Sequence, residues 1–106
     1  MAKFLIQFSY TKSGIEGLSK EGGSSRQAAV EKLATSLGGK LESFYFSFGE
    51  YDGFLIVEFP DNLGAAAAGL IASGAGGAHT MTTVLMSAAE MDEVTKRHGL
   101  YRAPGQ

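Results

Sequence analysis

At 106 residues, with 9 basic and 11 acidic side chains and a formal charge of −2, the chain is one domain without a basic run to attract a phosphate backbone. Nucleic acid is therefore not an expected partner. The absence of cysteine excludes a disulfide framework, a thiol nucleophile and a cysteine metal site. No stretch approaches the ~20 apolar residues needed to span a bilayer, and the start MAKFLIQF has no signal-like apolar core, so no membrane association and a cytoplasmic location are expected.

In chain order, Lys3 to Tyr10 alternates Phe4, Ile6, Phe8 and Tyr10 against Lys3, Leu5, Gln7 and Ser9, which predicts a first strand with one apolar face. Thr11 to Gly23 holds four glycines and only Ile15 and Leu18 as aliphatic anchors, and reads as a long ordered loop with at most one helical turn. Ser24 and Gln27 fit a capping box ahead of a helix carrying Ala29, Val30, Leu33 and Leu37, ended by Gly38-Gly39.

The stretch Leu41 to Phe59 organises the rest. Phe44, Phe46 and Phe48 alternate with Tyr45 and Ser47. After a predicted turn at Glu50-Tyr51-Asp52-Gly53, Phe54 and Ile56 alternate with Leu55, Val57 and Phe59. Asp52-Gly53 is a strong hairpin signal, with Gly53 expected at positive φ. Both faces of the second arm are apolar, so both require cover.

Asp61 is the expected N-cap of a second helix through Leu63, Ala67, Leu70 and Ile71 to Gly74. Ala78 to Ser87 is β-rich, with His79, Met81, Thr83 and Leu85 on one face, and predicts a fourth strand. Ser87 and Glu90 form a capping box for a short third helix with Lys96, Arg97 and His98 in its last turn and Gly99 as its stop. The order βαββαβ plus a terminal helix specifies an α+β, ferredoxin-like fold: a four-stranded antiparallel sheet with two crossover helices on one face. The other face has no cover of its own, which predicts a homodimer or higher oligomer through the sheet.

The run from KFLIQFSYTKSGIEGL through the phenylalanine-rich hairpin to TTVLMSAAEMDEVTKR resembles the GYD-domain proteins, small bacterial or archaeal domains of uncharacterised function. The marks are Lys40-Leu41-Glu42, the Phe-Tyr-Phe strand, and Gly49, Tyr51 and Asp52, with Glu50 interrupting the tripeptide. The resemblance implies a dimeric α/β-barrel protein, a class that includes cofactor-free monooxygenases, lactone isomerases, haem-handling enzymes and binding proteins without chemistry. Such breadth leaves function to the site.

Candidate catalytic residues are His79, as a base matched to neutral pH, with Tyr51 and Asp52 at the turn. Against these stand a plain strand histidine, a packed tyrosine and an aspartate serving the turn. Tyr10, Arg26, Glu42 and Tyr45 are candidate ligand-binding residues, with core edge and solvated surface as the alternative. Gly22 to Arg26 can seat an anion, but a glycine turn ahead of a helix explains it more simply. Two distant histidines and no clustered carboxylates give no metal spacing, and no cofactor is expected. A small-molecule binding module is favoured over a cofactor-independent monooxygenase or isomerase-type enzyme because no catalytic constellation is visible. A purely structural assembly is the third reading.

Overall fold

The computed structural model describes all 106 residues. The elements are β1 (Ala2–Tyr10), α1 (Lys12–Glu21), α2 (Gly23–Ser36), β2 (Lys40–Phe46), β3 (Gly53–Phe59), α3 (Asn62–Gly74), β4 (Ala78–Leu85) and α4 (Ala88–Thr95). The strands form one antiparallel sheet in the order β2-β3-β1-β4. This is the ferredoxin-like arrangement, with one helix more than the sequence pattern indicated.

The period-2 pattern decides which side chains are buried. Across the central pair, Phe4 lies opposite Val57, Ile6 opposite Leu55 and Phe8 opposite Gly53. All six are buried beneath the helices. The alternate residues Leu5, Gln7, Phe54 and Ile56 are only half-buried and occupy the other face. Phe4, Val57 and Phe59 anchor the core, to which α2 adds Ala34 and α3 adds Ala65 and Ala68.

Strand β2 joins through a bulge between Leu41 and Ser43. The extra residue, Glu42, brings Leu41 onto the same face as Phe44 and Phe46, a relation that strict alternation forbids. The carboxylate of Glu42 then meets Lys3 Nζ at 3.1 Å, and that pairing raises the lysine pKa. Phe48 lies beyond the strand and is fully exposed, so it does not continue the Phe44–Phe46 face.

Several local expectations are corrected. Thr11–Gly23 is not a loop: Thr11 caps α1 by accepting from the Gly14 amide, and ten helical residues follow. The Ser24–Gln27 capping box does not form, because α2 already begins at Gly23 with Gly22 as a cap that has no side chain to bond. Gly22 itself takes φ +87°, which allows α1 to turn directly into α2. Gly53 has no positive φ. It is a buried strand residue over which the Phe8 ring lies so closely that a Cβ would collide with it. The hairpin link is Ser47 to Asp52, longer than a tight turn at 50–53.

Helix α3 begins at Asp61 as expected, its carboxylate accepting from the Leu63 and Gly64 amides. It packs through its alanines, and Leu63, Leu70 and Ile71 are exposed. The Ser87–Glu90 capping box is present. Helix α4 ends at Thr95, so Lys96, Arg97, His98 and Gly99 lie beyond it. No helix is long and apolar enough to cross a membrane.

Candidate functional site

The site is a two-compartment pocket between the helices and the inner face of the sheet. A cavity of about 90 Å³ lies against Ile6, Leu55, Val57 and Phe59 of the sheet, roofed by Val30 and Leu33 of α2 and by Ala68 and Ala72 of α3. It exists because α3 presents only small residues there, leaving space that larger side chains would have filled. A wider cleft of about 520 Å³ adjoins it, bounded by Ser13, Gly14, Gly17, Leu18 and Glu21 of α1, by Ile71 of α3 and by Ala75, which caps that helix. Tyr10 and Arg26 line both compartments and therefore stand at their junction.

Each junction residue is held by the fold. Tyr10 ends β1, and its backbone N–H donates to Asp52 Oδ2 at 2.7 Å. The Asp52 N–H in turn donates to the Phe8 carbonyl at 2.8 Å, so the hairpin link is clamped onto the end of β1. The Tyr10 ring meets Phe8 edge-on with centroids 5.3 Å apart. Burial pushes its phenol pKa up; the hydrogen bond and charge of the neighbouring Arg26 guanidinium oppose that rise, and the charges of Asp52 and Glu21 add to it. The phenol is accordingly neutral at physiological pH.

Arg26 lies in the first turn of α2. Its Nη1 donates to Glu21 Oε1 at 3.5 Å, a partly exposed pair that ties the end of α1 to the start of α2. Its Nε is buried and has no hydrogen-bond partner. A buried donor left unmade costs about 1–3 kcal/mol, and in a native structure this calls for an explanation.

The remaining sequence candidates lie elsewhere. Tyr51 lies over the open face of the sheet, its ring edge-on to Phe54 and its hydroxyl donating to Met81 Sδ at 3.7 Å. His79 is exposed on the same side of β4, opposite Ser9. Asp52 faces the β1 backbone. None of the three lines the two-compartment pocket. Glu42 and Tyr45 border a separate depression at the β2 edge with Gln27 and Glu31.

Of the four proposed ligand contacts, the two-compartment pocket thus takes Tyr10 and Arg26, while Glu42 and Tyr45 meet at the separate depression. The α1 wall was missed because its glycines read as loop. The Thr11 cap followed by Ile15 and Leu18 three residues apart was the available signal. No group of three or more histidine, cysteine, aspartate or glutamate side chains is gathered where it could hold a metal.

The sequence profile of the GYD domain matches residues 4–95. The chain belongs to the GYD domain family. The match runs from β1 through the end of α4 and so includes every wall of the pocket. No curated protein and no solved structure matched the chain. What this GYD domain does must therefore be argued from its own pocket.

Proposed function

We propose that this GYD domain is a small-molecule binding module that takes a small, largely apolar compound into the pocket between its helices and its sheet, and that it works as a homodimer. The supporting observation is the apolar chamber of about 90 Å³ with Tyr10 and Arg26 at its mouth. Water inside a chamber with walls this apolar finds few hydrogen-bond partners. A ligand of matching shape displaces it and gains the burial of its own surface.

Binding is preferred to chemistry because the titratable candidates stand apart. Tyr51 and His79 lie on the open side of the sheet, and the Asp52 carboxylate is committed to the Tyr10 amide. The dimer is supported by that same open side, where Tyr45 and Met81 are exposed and Leu5, Phe54 and Ile56 are half-buried with no helix above them.

The test is a thermal-shift series with benzene and other small neutral apolar probes, run on the wild type and on Ala72→Leu, which fills the chamber. A rise in Tm for the wild type that the variant lacks is the expected result. Equal shifts in both proteins, or no shift in either, overturn the reading.

A further inference from the structure

We propose that the compound bound at the junction is a short-chain monocarboxylic acid, its carboxylate gripped by the Nε edge of Arg26 and its hydrocarbon tail lodged in the inner chamber. This rests on the pocket reading above and adds the ligand's chemical class.

The head group follows from how Arg26 is used. A guanidinium offers five N–H donors in a fixed fork, and two parallel donors along one edge match the two oxygens of a carboxylate. Glu21 engages only Nη1, at 3.5 Å and with both side chains partly exposed. An exposed pair of that kind is weak and screened, and it leaves the cation available. The other edge carries Nε, which is removed from solvent and unpaired. A neutral carbonyl would satisfy one donor there. A carboxylate satisfies two and supplies the counter-charge, which makes each bond roughly twice as strong as a neutral one. Tyr10 lines the same junction; its hydroxyl interacts with the Arg26 guanidinium but leaves Nε unpaired, and being neutral it adds no repulsion. The nearby Asp52 carboxylate is held by a backbone N–H.

The tail follows from the chamber. Its volume of about 90 Å³, against the roughly 10–15 Å³ of such space that one water needs, admits a tail of a few carbons. The surfaces facing it are aliphatic and aromatic carbon apart from Thr80, Tyr10 and Arg26. An acid of four to six carbons fills such a space, and longer chains must leave it for the outer cleft.

The experiment is isothermal titration calorimetry of wild type, Arg26→Gln, Arg26→Lys and Glu21→Gln with butanoate, pentanoate, octanoate and pentanamide, alongside the benzene thermal shift. Expected for the wild type is pentanoate binding at least tenfold tighter than pentanamide, with octanoate no better than pentanoate. Arg26→Gln levels acid and amide while still responding to benzene, which shows that the chamber is intact. Arg26→Lys recovers only part of the acid preference, because a point charge lacks the fork. Glu21→Gln strengthens the acid and leaves the amide unchanged. Equal affinity for acid and amide in the wild type, or an acid preference that survives in Arg26→Gln, overturns the carboxylate assignment and spares the pocket provided benzene still binds. A steady gain in affinity up to octanoate overturns the placement of the tail. Failure of benzene and of every acid to bind overturns the pocket reading as well.

Discussion

Gly53 and Asp52 show what a dipeptide reveals and what it hides. Asp-Gly marks a chain reversal, and the reversal is there, but neither residue serves it in the local way. Gly53 is needed because the Phe8 ring occupies the space of its side chain, and Asp52 is needed because the Tyr10 amide has no other acceptor in this arrangement. Both partners lie more than forty positions away in sequence, beyond the reach of turn chemistry. Gly53→Ala is therefore expected to lose about 1–3 kcal/mol through overpacking, and more than Tyr51→Ala, whose ring only overlies Phe54 and Met81 at the sheet surface. Denaturant unfolding of both variants checks the order, and a Gly53→Ala protein as stable as wild type refutes it. Asp52→Ala is expected to cost about 1–3 kcal/mol by stranding the Tyr10 N–H. Asp52→Asn keeps an acceptor oxygen and should lose clearly less. Tyr10 and Arg26 were recognisable as pocket candidates by residue type alone, whereas their meeting depends on β1 ending where α2 begins to cross it.

The elements were legible where apolar spacing carried the signal and misread where small residues replaced it. All four strands follow from alternation, yet the bulge at Glu42 is invisible in sequence because nothing local distinguishes it from a regular strand residue. Helix α1 was obscured by Gly14 and Gly17. In α3 the run of alanines at 65–68 allows close approach to the sheet, and it is that side which is buried while Leu63 and Leu70 face outward. Helix α4 is the element most dependent on its own cap. Every residue from Met86 onward is exposed, so the helix receives little tertiary support, and eight residues are too few for a stable isolated helix. The Ser87 backbone N–H and hydroxyl hold the Glu90 carboxyl below its ordinary value of 4.5. Because the folded pKa is the depressed one, the stabilisation is complete above the unfolded value and disappears as pH falls through the folded value. Amide protection in α4 is thus expected to fade on acidification below about pH 4.5 while the strands remain protected. Glu90→Gln should flatten that dependence. Hydrogen exchange across the range measures both, and an α4 whose protection does not respond to acid contradicts the capping account.

At the scale of the molecule, strand order, antiparallel pairing and the one-sided placement of the helices were all contained in the βαββαβ pattern. What alternation left ambiguous was which apolar set of β3 faces the helices, and the answer decides how assembly should be tested. Leu55, Val57 and Phe59 are buried under the helices, while Phe54 and Ile56 belong to the open side with Leu5, Tyr45 and Met81. The chain is also extended, with a radius of gyration of 16.9 Å and a long axis of 57 Å. About 13 Å is usual for a compact chain of this length, and every residue from Met86 to Gln106 is exposed. A fully buried large apolar side chain is worth about 1.5–3 kcal/mol, and these five, already half covered in part, gain less than that each on pairing. Set against an association cost of about 4–15 kcal/mol, two copies of the patch suffice for a dimer at micromolar concentration when the open faces meet. Light scattering at a few micromolar is accordingly expected to report a dimer for the wild type and a folded monomer for Ile56→Asp. Leu55→Asp, which places a charge beneath the helices, is expected to unfold the domain instead. The contrast between adjacent positions carries the test: a folded Leu55→Asp protein would mean the two faces are assigned the wrong way round, and a wild type that stays monomeric would mean the open side is covered by something other than a second copy.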